Sequence, residues 1–251
     1  MKRTILVSTA VVIAASAGVY GQSAQPTPKS LVPSVGCKAD GQTGPLKAPT
    51  LPGKYVAVEP EVAQRLAYYQ AMDGPGVLGP RGWHCFEAYG SSGEALYVAP
   101  VAIGAKELFS VDWKGFAGNA IELSVDIGDT SGRFEVAQMI ARVFPDYMRF
   151  VRRVIAQGIA PASSFPAGPY AKDELIYKSK EMVEYITPPN SDGLGTRSRL
   201  LKNGDPISGV AILSGEELSL THLSLRLPAE MNDLAAVIIS KIEQDSAAKE
   251  R

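Results

Sequence analysis

The chain has 251 residues, 45% of them hydrophobic, with 25 basic and 26 acidic side chains and a net charge of −1. Such a balance excludes the strong basic field on which binders of nucleic acid and anionic membranes depend. The length permits one large domain or two small ones.

Lys2 and Arg3 precede an apolar run from Ile5 to Ala15, and Ala15-Ser16-Ala17 supplies the small residues of a cleavage site. Residues 1–17 therefore read as a secretory signal, too short to span a hydrocarbon core of about 30 Å. Cleavage after Gly21 or Ala24 is an alternative. Cutting after Ala17 removes two basic groups and leaves 23 against 26 acidic ones, a net of −3. The mature protein is expected in the periplasm or outside the cell, with no stable membrane span. In that oxidising setting the only two cysteines, Cys37 and Cys85, are expected to form a disulfide.

Residues 18–53 are rich in Pro, Gly, Gln, Ser and Thr and read as a linker or arm outside the core, pinned to the body by Cys37. Residues 54–251 are expected to form a single domain. Lys54–Val58 is a strand candidate, and Pro60 and Glu61 suit the first turn of a helix. Val62, Leu66 and Tyr69 give that helix an apolar stripe, and Asp73-Gly74-Pro75-Gly76 ends it. A hairpin follows, WHCFEAY and EALYV around Gly90-Ser91-Ser92-Gly93.

Residues 120–127 alternate cleanly. Ile121, Leu123, Val125 and Ile127 take one face, while Glu122, Ser124 and Asp126 take a face that is wet or lines a site. After the turn at 129–132 comes an apolar helix to Phe144, then a second helix from Pro145 to Ile155. Strands are expected at 173–178 and 181–187, and again at 207–213 and 218–227. Within the last of these the buried parity switches near Thr221-His222, which implies a bulge or burial on both faces. A final helix spans about Pro228 to Gln244. The order strand-helix-strands-helices-strands-helix argues for an α+β fold, a mostly antiparallel sheet with helices on one or both faces.

Few chemical constellations survive inspection. His84 and Cys85 are adjacent on a strand, point to opposite faces and cannot serve as base and nucleophile. With two histidines and two cysteines in all, no zinc set is present, and Asp126 with Asp129 lacks a calcium-loop pattern. No metal or cofactor is expected. Asp129-Thr130-Ser131-Gly132 differs from an aspartic-protease triplet, Gly90–Gly93 lacks nucleophile-elbow spacing, and Gly193-Leu194-Gly195 reads as a turn. Arg142, Arg149, Arg152 and Arg153 crowd residues 139–160 against a lone Asp146. They form an anion or partner patch or, as the simpler reading, a solvated helix face. Arg81, Trp83, His84 and His222 are the ligand-binding candidates, with Trp83 expected to pack as core beside the disulfide.

GPRGWHCFEAYGSSG, with RFEVAQMIARVFP, EYITPP and GLGTRS further on, resembles a group of secreted bacterial proteins of unassigned activity that share an R-G-W-H-C-F hairpin. The resemblance implies export and no reaction. The sequence thus favours a non-enzymatic module binding a small ligand or an envelope protein. A hydrolase using His222 or His84 with Asp126 or Glu122, and a structural envelope protein, are the alternatives.

Overall fold

The computed structural model describes residues 29–249, so the expected signal at 1–17 lies outside the described residues. The fold is α+β, built on a long and mostly antiparallel sheet. Strands β1 (Lys29–Val32), β2 (Ser34–Gly36) and β3 (Lys38–Gly41) open the described chain, followed by β4 (Lys54–Ala57). Composition predicts an arm here, yet Val32, Cys37 and Ala39 are buried to 1% exposure or less. These strands borrow their partners from elsewhere: β1 pairs with β4, and β3 runs parallel to a strand of the hairpin. Low apolar content does not prevent a segment from becoming an edge strand when a distant one supplies the hydrogen bonds.

Helix α1 (Pro60–Arg65) stops well short of the predicted end, and β5 (Leu66–Gln70) replaces its second half. The stripe Val62-Leu66-Tyr69 misleads because Leu66, Ala67, Tyr68 and Tyr69 are all buried, as in a strand covered on both faces. Strand β5 pairs with β2 and with β6 (Val77–Pro80) in a separate three-stranded sheet. The hairpin is β7 (His84–Gly90) and β8 (Gly93–Ala99), in continuous register from His84↔Ala99 to Gly90↔Gly93. After the short α2 (Ala105–Leu108), β9 (Ala120–Asp126) joins β8.

Helices α3 (Arg133–Val143) and α4 (Met148–Ala156) are separated by a 3-10 turn at Pro145–Tyr147, because proline cannot continue the hydrogen-bond ladder. Strands β10 (Glu174–Tyr177), β11 (Met182–Thr187), β12 (Ile207–Ser214) and β13 (Ser219–Arg226) precede α5 (Leu234–Lys249). The long sheet has the order β10-β11-β12-β13-β9-β8-β7-β3, antiparallel except at β3–β7. Strand β13 pairs without a bulge from Ser208↔Leu225 to Ser214↔Ser219, so burial on both faces explains its parity switch. Among the described residues no helix is long and apolar enough to cross a membrane.

Alternation along these strands divides the core. Leu96, Val98, Ile121, Leu123, Val210, Ile212, Leu223 and Leu225 face α5 and the three-stranded sheet. Val183, Tyr185, Ala211, Leu213 and Leu220, on the opposite face, lie beneath α3 and α4. A smaller cluster of Tyr97, Ala99, Phe116, Ala120, Leu200 and Ile207 seals one end of that second face. The expected disulfide joins Cys37 and Cys85, with sulfurs 1.99 Å apart, and fastens the β2–β3 junction to the hairpin. Trp83 precedes β7 in a turn and packs, half-buried, against the first cluster that also holds Cys85.

Candidate functional site

Between the α3–α4 cover and the smaller cluster, part of the second sheet face has no roof. Its floor is made of small residues in register: Ala88, Gly90, Gly93, Ala95 and Ser124, from β7, β8 and β9. Large side chains at these inward positions would fill the space; glycine and alanine leave a cleft of about 510 Å³. Gly93 has a φ of +140°, and a Cβ there would collide with the carbonyl oxygen of Val125. The rim is therefore restricted to glycine by its backbone.

Four acidic residues line this cleft, Glu94 of β8 among them. Glu122 and Asp126 rise from β9 on either side of Ser124, and Glu135 leans in from α3. Glu122 is 6% exposed and accepts a 2.5 Å hydrogen bond from the backbone N–H of Arg199. Burial pushes its carboxyl up to about 7, although that N–H and the Arg199 charge pull the other way. Burial, reinforced by Glu135, also lifts Asp126 to about 7, with Arg197 opposing.

The arginines at the cleft are already engaged. Arg197 pairs with Glu135 at 2.9 Å and donates to Gln138. Arg199 places its guanidinium 5.9 Å from the Trp113 ring centroid. Trp113 stands edge-on to both Tyr97 and Phe116, so the aromatic group holds Tyr97 rigidly at one end of the cleft.

His222 enters from β13, directly across from Ser124. It is 6% exposed, and its Nε2 lies 2.8 Å from the phenol oxygen of Tyr185 and 3.3 Å from Ser224 Oγ. Tyr185 in turn donates to the carbonyl of Leu223. A phenol has one proton, so which of His222, Tyr185 and Ser224 donates within this network depends on the imidazole tautomer. In the tautomer protonated on Nε2, Nδ1 is an acceptor. Burial and the nearby Arg197 push the ring down to about 3, which keeps it neutral. Gly209 makes this packing possible, because a Cβ there would strike the Tyr185 hydroxyl.

Of the residues expected to bind a ligand, only His222 lines this cleft. His84 is exposed at the far end of β7, opposite Ala99. Arg81 donates to the carbonyls of Ala63 and Leu66, a local tie between the turn and β5. The arginine group is dispersed by the break at Pro145. Arg142 stacks on Tyr170 at 4.1 Å and donates to Gly168, whereas Arg149, Arg152 and Arg153 are exposed on α4. Among the described residues, no group of three or more His, Cys, Asp or Glu side chains is placed to hold a metal ion. Glu135, Arg197, Arg199 and Tyr97 were not legible as site residues, since they come from a helix, a loop and a second strand.

Fold and cleft together define an α+β domain with one polar, partly roofed sheet face. No protein-family model matches the chain, and neither does any curated protein or solved structure.

Proposed function

We propose that the chain is an exported, non-enzymatic module that binds a small polar ligand in the cleft over β7, β8, β9 and β13. The observation carrying this reading is the uncovered floor of Ala, Gly and Ser ringed by the charged residues Glu122, Asp126, Glu135, Arg197 and Arg199. The central strands bury their opposite face against apolar groups and keep this one open, polar and walled. Such concavity with convergent polar groups is what small-ligand sites share. The Cys37–Cys85 disulfide and the basic-then-apolar start of the sequence support export.

The test is to fill the floor. Ala95→Trp should fold normally and lose the ligand-induced rise in melting temperature that the unaltered protein shows against a panel of small polar compounds. Equal responses from both proteins would place binding elsewhere and defeat the proposal.

One observation favours hydrolysis as a second reading. Glu122 and Asp126 are both held near 7, where a carboxyl group can give or take a proton at neutral pH. His222 does not help this reading, because a ring held near 3 is a weak base. Turnover of an ester, glycoside or peptide that vanishes in both Glu122→Gln and Asp126→Asn would establish hydrolysis over simple binding.

A further inference from the structure

We infer that the cleft recognises a small organic amine, bound as its ammonium ion, over the Glu122–Ser124–Asp126 edge of β9. This rests on the binding reading above and adds the chemical class of the ligand. The first ground is which groups remain available. Arg197 is held by Glu135 and Gln138, which leaves Arg199, over the Trp113 face, against the two β9 carboxyl groups Glu122 and Asp126. The Asp126 side chain has no hydrogen-bonding partner among the described residues, and Glu122 keeps one carboxylate oxygen beyond the one held by Arg199.

The second ground is independent of the carboxylates. His222 is nine-tenths buried, and its Nε2 lies within hydrogen-bonding distance of the Tyr185 and Ser224 hydroxyls. The lone pair on Nδ1 has no partner among the described residues, and the ring borders the cleft. With the imidazole proton on Nε2, ring nitrogen, carboxylate and hydroxyl oxygens converge here, and all of them can accept. Such a set answers a ligand with several N–H donors on one atom, as an ammonium group has. A bare metal ion does not fit, because the cleft is about 510 Å³ and holds no metal-ligating group of three. Ionising both β9 carboxyls beside a bound cation reverses the burial effect that holds them near 7, so binding at pH 7 should release protons.

Three hexoses of one shape and different charge test the class: glucosamine, glucose and glucuronate, with putrescine and 1,4-butanediol as a second charged and uncharged pair. Each is titrated calorimetrically into the full chain at pH 7 in two buffers of different ionisation heat. The expected result is binding of at least one amine with proton release, binding of its uncharged counterpart weaker by about tenfold or more, and no binding of glucuronate. Asp126→Asn should weaken the amine by about tenfold while leaving the circular dichroism spectrum unchanged. Should Asp126→Asn not fold, Glu122→Gln replaces it, and amide shifts of residues 122–126 on titration report the same contact. Equal binding of glucose and glucosamine, or preference for glucuronate, overturns the amine class and leaves the binding cleft standing. Failure of all five compounds at millimolar concentration overturns both.

Discussion

On one side of the long sheet Leu96, Val98, Ile121 and Leu123 are shut beneath α5 and the three-stranded sheet, with exposures of 1% or less. One residue along the same strands, Ala95, Glu122, Ser124 and Asp126 meet an open cleft. A strand turns successive side chains to opposite faces, so one backbone carries both surfaces. The closed face is welded by apolar burial and by Cys37–Cys85, while the open face keeps its shape through polar contacts at its ends. Arg199 N–H on Glu122 and the His222–Tyr185–Ser224 network are such contacts. Stability and recognition are therefore separable on this sheet by choosing odd or even residues.

The largest effect should come from the closed face. Replacing Cys37 and Cys85 by Ala opens a loop spanning a sequence separation of 48 residues. Denaturant unfolding should show a loss of about 4 kcal/mol. The β7–β9 floor should survive, because its register does not depend on Cys37. A double variant that keeps its stability would remove the distinction between the welded face and the open one.

Next in size is a pair of neighbours. Leu123→Ala leaves a hole in a fully packed cluster and should cost about 3 kcal/mol. Ser124→Ala, one position on, should change stability by no more than about 0.5 kcal/mol. Similar losses at both positions, measured by denaturant titration, would mean that the open face is as structural as the closed one.

Much of this contrast was legible in the sequence. The alternation of residues 120–127 separates Ile121, Leu123 and Val125 from Glu122, Ser124 and Asp126 without any structure, and it leaves the second face as either wet or site-lining. The hairpin and the disulfide follow from turn chemistry and from the presence of two cysteines. What could not be read was depth. Ala88, Gly90, Gly93 and Ala95 are unremarkable on their own, and become a floor only because β8 pairs with β9 in one register. Arg197 and Arg199 sit in a loop, where no periodicity announces which side chains face inward. The helix expected through Tyr69 failed for the opposite reason: a run buried on both faces mimics a helical stripe when some of its members are skipped.

Glu87 is the exception within the closed face. It is 1% exposed, its Oε1 has no partner, and burial with Glu94 and Asp73 nearby pushes its carboxyl up to about 8. Because the folded value lies above the usual 4.5, its favourable contribution is complete below about 4.5 and is lost as pH rises through 8. Glu87→Gln should therefore raise stability at pH 8.5 by about 1–2 kcal/mol and have little effect at pH 4. Chemical denaturation at the two pH values checks this. A loss at pH 8.5 would show that the ionised carboxylate has a partner on the apolar side.

Asp126 should give the smallest change and the sharpest comparison with Glu87, since both carboxyls are raised but only Asp126 borders the cleft. Its folded value of about 7 lies above the usual 3.8, so its contribution is complete below about 4 and fades as pH passes 7. Solvent in the cleft screens the charge, and Asp126→Asn should raise stability at pH 8 by only about 0.5 kcal/mol. The slope of stability against pH between 4 and 7 should flatten by a similar amount. If the amine reading is correct, adding the amine should stabilise the unaltered protein most at pH 8, where Asp126 is ionised, and the Asn variant little at any pH. Melting curves across pH 5 to 8, with and without putrescine, measure both effects. A ligand response that is independent of pH would detach recognition from Asp126.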